Sequence, residues 1–325
     1  MLEQVRQGVR ISQVVTWVVV APFVIWTLAR LIGLDSSTPA AQLMAFTPYV
    51  AIGALIPLTL ALLARHWWVA GVAGAACLAL ALCVLPRAFG SPSTMDGVPV
   101  TVMSMNMYEG RADAEAIVKV VREQHVDVLT LQEFTSDAQR RLADAGLDQI
   151  LPYQENRAVG VTTGSGLYSR FPLSDTGFAV NPGGFYQVHG VVEVPGAQPV
   201  AVESVHPLAP AEPQSVSLWK QDLREQKPAS STGTPQILSG DFNSTLDHSE
   251  LRRIIATGYH DAAASVGKGL TPTWPYAGDR SLVTPKVTLD HVLVDSRIGV
   301  RAFNAYTIPK TDHRAVVTQL TLPTP

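Results

Sequence analysis

Cysteine is nearly missing from this chain: of 325 residues only Cys77 and Cys83 carry a thiol, and both stand in one apolar stretch. Two thiols among apolar neighbours build no disulfide framework, and the cysteine-free remainder excludes a cysteine-ligated zinc site there. Charge is scarce too, at 16% of residues, and unevenly placed: between Ile11 and Leu85 the charged residues reduce to Arg30, Asp35 and Arg65. Residues 87–325 hold twenty Lys plus Arg against twenty-five Asp plus Glu, a net of −5, and no basic stripe announces a nucleic-acid partner. There is no internal repeat, no low-complexity tract, and no HxxxH or HExxH spacing of the kind that holds zinc.

What the first quarter has in place of charge is length of apolar sequence. Residues 11–32, 43–64 and 67–85 each approach the roughly 20 residues that span a bilayer, and none shows the polar face of a water-soluble helix. They are expected to form three transmembrane helices, a region of residues 1–86. Pro22 and Pro57 are tolerable there, and Trp17, Trp26, Trp67 and Trp68 lie toward segment ends, where indole rings favour the interface. Arg6 and Arg10 before the first stretch, and Arg65 with His66 between the second and third, belong on the cytoplasmic side; Arg30 and Arg87 pull weakly the other way. Three crossings then place everything after Pro86 outside the cell, as in a multi-pass protein of the cell membrane. Residues 87–97 lie in a stretch rich in proline, glycine and serine and read as a short linker that keeps the domain of residues 98–325 close to the bilayer.

In that domain, strand-like runs recur at 100–105, 126–131, 166–169, 188–194, 200–205, 236–238, 287–294 and 315–322, with helical patterns at 112–125, 136–145, 213–226 and 249–257. Helices interspersed among many strands, several strands in succession, indicate an α/β fold of two sheets packed face to face with helices outside. Polar residues recur at the ends of the apolar runs: Asn106 after VTVMSM, Glu133 after DVLTLQ, His206 after VAVESV, Asp241 and Asn243 in QILSGDFN, Asp290 in VTLDH, and Asp312 with His313 in TDHRA. One such group is ordinary. Six together suggest a site held on rigid strand ends. Asp241 and Asn243 are two apart, so an extended backbone would turn both to one side and Phe242 into the core, while Gly240 would allow close approach.

In this order the residues resemble the endonuclease/exonuclease/phosphatase superfamily, which includes pancreatic-type deoxyribonucleases, apurinic endonucleases, inositol-polyphosphate 5-phosphatases and bacterial sphingomyelinases. The resemblance rests on Asn106, the LQE ending at Glu133, SRFP at 169–172, His206, GDFN at 240–243, LDH at 289–291 and TDH at 311–313, with TPTWP at 271–275. It implies a four-layered α/β sandwich of two mainly antiparallel sheets flanked by helices, and divalent-metal-dependent hydrolysis of phosphate esters. Mg²⁺ is the expected cofactor, with Mn²⁺ as an alternative, held by Glu133, Asn106 and Asp312, since a hard cation takes one or two carboxylates and leaves positions for water and phosphate.

Asp241 is expected to orient and deprotonate the attacking water, with Asn243 holding the phosphate or that aspartate. His313 would stabilise the developing charge, Asp290 would fix its tautomer, and His206 would contact phosphate or assist the leaving oxygen. His206 is followed by Pro207 where many members carry an aliphatic residue, and His291 reads as a core residue. The expected substrate is a phosphomonoester or phosphodiester on a lipid or lipid-linked glycan at the outer membrane face. The alternatives are an exported nuclease acting on nucleic acid and a catalytically inactive binding module. Trp274 and Tyr276 would stack on a base, meet a headgroup, or pack a loop.

Overall fold

The computed structural model describes residues 2–277 and 280–325, with side chains described for 11–277 and 282–325. The chain divides into two compact units, residues 1–86 with 247–249, and residues 87–246 with 250–325. In the first unit, among the described residues, two helices are long and apolar enough to cross a membrane, over Ile11–Ile32 and Trp67–Ala88, or three if the bent pair between them counts as one span. They pack through small residues and valines, with Val20, Ala61, Val69, Ala70 and Ala73 forming a buried cluster, the composition that lets backbones approach closely in lipid. The middle apolar stretch is not one continuous helix. It divides into helices Thr38–Met44, Thr47–Gly53 and Leu55–Leu63, with a bend of 70° after the first. Pro48, in the first turn of the second helix, has no N–H to carry the preceding helix onward and disfavours helical geometry at Thr47. Arg6 and Arg10, on which the expected orientation partly rests, have side chains outside the described set.

The second unit contains two six-stranded sheets. Its strands are β1 (Val98–Asn106), β2 (Val128–Gln132), β3 (Tyr153–Arg157), β4 (Ser165–Ser169), β5 (Leu173–Val180), β6 (Tyr186–Val192), β7 (Val200–Val205), β8 (Gln236–Asp241), β9 (Tyr259–Asp261), β10 (Asp290–Asp295), β11 (Gly299–Thr307) and β12 (Arg314–Leu322). The orders are β11-β12-β1-β2-β4-β3 and β5-β6-β7-β8-β10-β9. Only β1 with β2 and β7 with β8 run parallel; the other named pairs are antiparallel. A parallel pair needs a crossover. Helix Ala114–Glu123, capped by the Asp113 carboxylate on the Ala116 N–H, supplies the first, and helix Ser215–Arg224 the second.

Alternation decides which side chains meet between the sheets. Val100 and Val102 of β1 join Val128, Val202, Ile237, Val292 and Val316 in the inter-sheet core, whereas Met103 and Met105 turn outward onto Ile117, Val121 and Leu142 of the flanking helices. One step nearer the end of each of four strands the inter-sheet residue becomes small and polar, giving Ser104, Thr130, Ser204 and Ser239, all fully buried. These bond across the sheets: Thr130 Oγ1 to Ser239 Oγ at 3.0 Å, and Gln132 Nε2 to Ser204 Oγ at 3.0 Å, while Gln132 Oε1 accepts from Ser104 Oγ at 3.2 Å. Beyond the 3-10 turn at Leu85–Ala88, the linker stretch has no regular structure but is pinned to β11, the Ser93 N–H donating to the Val300 carbonyl at 2.7 Å. The chain there is therefore not a free coil.

Candidate active site

The two parallel pairs end at the same edge of the sandwich, which brings Asn106, Glu133, His206 and Asp241 together. β10 and β12 run the opposite way and contribute their first residues: Asp290 sits opposite Asp241 in register, and Asp312 and His313 immediately precede β12. Asp290, Asp312 and His313 therefore stand at strand starts, the sequence pattern having Asp290 within the run 287–294 and Asp312 and His313 just ahead of the run 315–322. A Cβ at Gly240 would collide with the Val205 carbonyl, so the glycine of GDFN is required by the neighbouring strand.

Asn106 is the hub. Its Nδ2 donates to Glu133 Oε1 at 3.1 Å and to Asp241 Oδ2 at 2.9 Å, and its oxygen accepts the Tyr108 N–H at 2.9 Å. That last bond fixes the amide so that nitrogen, not oxygen, faces the carboxylates. Glu133 Oε2 accepts the Glu109 N–H at 2.6 Å. Burial pushes the Glu133 carboxyl up to about 7 against the lowering effect of those hydrogen bonds. Asp241, buried, accepts the Asn243 N–H on Oδ1 at 2.8 Å; burial raises its pKa, opposed by His313.

His313 Nδ1 lies 2.9 Å from Asp290 Oδ2, and its Nε2 faces Asp241 Oδ2 at 3.6 Å and Asp312 Oδ1 at 3.9 Å. Burial alone would lower its pKa, but the Asp290 and Asp241 carboxylates prevail and push it up to about 10. His206 Nε2 is 3.9 Å from the same Asp241 oxygen. Burial pulls its pKa down to about 4, more than Asp241 offsets. Asp312 Oδ2 accepts from Trp274 Nε1 at 2.9 Å, whereas Asp312 Oδ1 and Asp290 Oδ1 are buried without a hydrogen-bond partner among the described residues. Ligand atoms of Asp241, Asp290 and His313 lie within 4.8 Å of one another.

One expectation is modified. Asn243 is not extended: at φ 46° it turns its amide to the Pro207 carbonyl at 3.0 Å and holds Asp241 through its backbone N–H. Phe242 is buried, its ring edge-on to that of His291. His291 stands between Asp261 Oδ2 at 2.8 Å and the Ser244 carbonyl at 2.9 Å. Both partners are acceptors, so the ring carries two protons and anchors the loop after Asp241; burial opposes this, but Asp261 prevails and its pKa is raised. Tyr108, Glu109, Glu133, Asn243 and Lys310 all have positive φ. Such left-handed conformations cost a non-glycine residue backbone energy, and Arg65, His125 and Asp175 share them elsewhere in the chain.

The Endonuclease/Exonuclease/phosphatase family model matches residues 103–313. The chain belongs to this family. No curated protein sequence matches the chain. Among solved structures, this family member is similar to an endonuclease/exonuclease/phosphatase from Beutenbergia cavernae, at 22% identity and TM-score 0.57, over 69% of this chain and 72% of that one. It is also similar to a humanized TDP2 of D. rerio, at 14% and 0.55, over 69% and 99%, and to sphingomyelinase C from Streptomyces griseocarneus, at 16% and 0.51, over 68% and 99%. Members of the endonuclease/exonuclease/phosphatase family hydrolyse phosphate esters and generally depend on a divalent metal.

Proposed function

We propose that this endonuclease/exonuclease/phosphatase family member is a membrane-anchored phosphoesterase that uses Mg²⁺, or Mn²⁺ in its place, to hydrolyse a lipid-borne phosphomonoester or phosphodiester at the outer face. The observation that carries the reading is the buried carboxylate cluster at the sandwich edge, with Asp312 Oδ1 and Asp290 Oδ1 unpartnered. Buried carboxylate oxygens are costly unless something positive meets them, and a hard cation fits such a donor set. Glu133 and Asp312 would hold it, and Asn106 enters as the amide that spaces Glu133 from Asp241 rather than as a ligand. When bound, the cation stabilises charge on the phosphoryl oxygens.

Asp241 accepts the proton of the attacking water from a position set by Asn106 and the Asn243 N–H. His313, protonated and held through Nδ1 by Asp290, presents Nε2 to the charge that builds on phosphorus oxygens. His206, neutral at physiological pH, faces the same pocket and is the group available to meet the leaving oxygen. Sphingomyelinase C as a structural neighbour, the apolar helices and the short connection to the unit all support a substrate carried by lipid.

The test is hydrolysis of bis(p-nitrophenyl) phosphate and p-nitrophenyl phosphate by the full chain in detergent, with Mg²⁺ and with EDTA, against digestion of plasmid and single-stranded DNA. Ester hydrolysis that EDTA abolishes, with DNA spared, is expected. DNA digestion at a higher rate would favour the nuclease, and activity on neither the binding module.

A further inference from the structure

Two imidazoles face Asp241, and they are held in different ways. His313 is oriented through its ring by Asp290. Among the described residues the His206 ring has no such partner: Nδ1 is buried with no hydrogen bond and Nε2 lies 3.9 Å from Asp241. Its backbone is held instead. The His206 N–H donates to Gln187 Oε1 at 3.0 Å, its carbonyl accepts from Asn181 Nδ2 at 3.0 Å, the Pro207 carbonyl accepts from Asn243 Nδ2 at 3.0 Å, and the Leu208 N–H donates to Asp222 Oδ2 at 2.8 Å. Pro207 has no N–H to satisfy. From the His206 N–H to the Leu208 N–H, every backbone polar group ends on a side chain.

Those side chains are themselves fixed. The second oxygen of Asp222, a fully buried residue, accepts the Gly183 N–H at 2.8 Å, so one carboxylate joins the turn at 181–184 to the loop at 206–208. The approach is so close that a Cβ at Gly183 would lie 2.5 Å from Asp222 Oδ2 and 2.7 Å from Leu208 Cβ. Asn181 Oδ1 accepts the Phe185 N–H at 2.8 Å, and the Phe185 ring stands edge-on to the His206 imidazole with centroids 4.7 Å apart. Gln226 Nε2 donates to Gln187 Oε1 at 3.1 Å and to the Asp222 carbonyl at 2.9 Å.

We infer that Asp222 and Asn181 are positioning residues for His206, setting the imidazole through its backbone and through Phe185 because the ring has no partner of its own. The inference rests on the proposed role of His206 in phosphoester hydrolysis. It explains Pro207, since a residue with an N–H there would leave a buried donor that the frame does not serve.

The experiment uses the full chain in detergent with Asp222→Asn, which sets an amide NH₂ against a backbone N–H, in wild-type and His206→Ala backgrounds. Steady-state kinetics on bis(p-nitrophenyl) phosphate with Mg²⁺ are read beside the His206 ring Cε1–Hε1 resonance in ¹³C-histidine-labelled protein. A displaced catalytic group costs rate more than binding, so kcat is expected to fall about 10-fold or more with KM within about 2-fold. In the His206→Ala background the same change has no further effect, and the His206 resonance moves while that of His313 does not. An equal fall in the His206→Ala background, or an unmoved His206 resonance in folded Asp222→Asn protein, overturns the inference. Should Asp222→Asn not fold, Asn181→Ser carries the same expectations. If the wild type hydrolyses no phosphoester, the proposed function fails, and the resonance alone decides whether Asp222 positions the ring.

Discussion

Asp241 Oδ2 has an imidazole nitrogen on either side, His313 at 3.6 Å and His206 at 3.9 Å, and the fold sets their charges oppositely. Asp290 behind His313 favours its protonated form, while burial of His206 against an aromatic edge favours its neutral form. That asymmetry favours a positive charge on the His313 side of Asp241 and a neutral imidazole on the His206 side. Asp241→Asn and His313→Ala are each expected to lower kcat by about 10²–10⁴-fold, the range for a general acid or base, with thermal unfolding unchanged within a few degrees. Hydrolysis at the wild-type rate in either variant would contradict the roles. Glu203 tests the electrostatics away from the chemistry. It keeps part of its surface in solvent, yet burial pushes its carboxyl up to about 7, beyond what Lys227 and Gln187 offset. From the usual glutamate range up to about pH 7 the unfolded chain releases a proton that the folded chain retains, so stability falls across that window and stays lower above it. Glu203→Gln keeps an acceptor for Gln187, so it is expected to raise Tm at about pH 8 and leave it unchanged at about pH 4; an equal change at both would count against this account. At this scale the sequence exposed the polar residues that stand at strand ends and starts. It hid Asn181, Gln187 and Asp222, because a side chain that serves another residue's backbone leaves no motif.

The strands show where legibility stops. The eight strand-like runs in the sequence each overlap an inner strand, and the four strands without such a run, β3, β5, β9 and β11, are the edges of the two sheets. An inner strand buries alternate side chains continuously; an edge strand blunts itself with polar residues, as YQENR of β3 and LSDTGFAV of β5 do. A second pattern was readable but needed the fold to give it meaning. Val102-Ser104-Asn106, Val128-Thr130-Gln132, Val202-Ser204-His206 and Ile237-Ser239-Asp241 each step along one strand face from apolar core through a small hydroxyl to a polar head. The hydroxyl layer bonds one sheet to the other beneath the site, which aligns the half carrying Glu133 and Asp312 with the half carrying His206 and Asp241. Ser204→Ala leaves Gln132 Nε2 buried without this acceptor, and is expected to cost about 1–3 kcal/mol of unfolding free energy in chemical denaturation. A cost near zero would show that the layer fills space without fixing the sheets. Hydropathy likewise marked the middle apolar stretch correctly as apolar and missed its 70° bend, because apolar content says nothing about backbone continuity.

For the whole molecule, a region rich in apolar helix is joined to an endonuclease/exonuclease/phosphatase-family sandwich by a short stretch of chain. If three crossings place the sandwich outside the cell, alkaline phosphatase fused after Thr324 is active and a fluorescent protein that matures only in the cytoplasm is dark; the reverse result would put the substrate on the cytoplasmic leaflet. Both outcomes leave the chemistry intact, because that depends on the second unit alone. The central claim is that carboxylates from both sheets gather around a cation that faces a phosphate. Its most direct test is a crystal structure of the protein soaked with Mn²⁺ and phosphate, with anomalous scattering used to locate the metal. The account predicts a peak about 2.1 Å from carboxylate oxygens of Glu133 and Asp312, with the phosphate in reach of His313 Nε2. A metal bound away from those two residues, or a phosphate remote from His313, would contradict it.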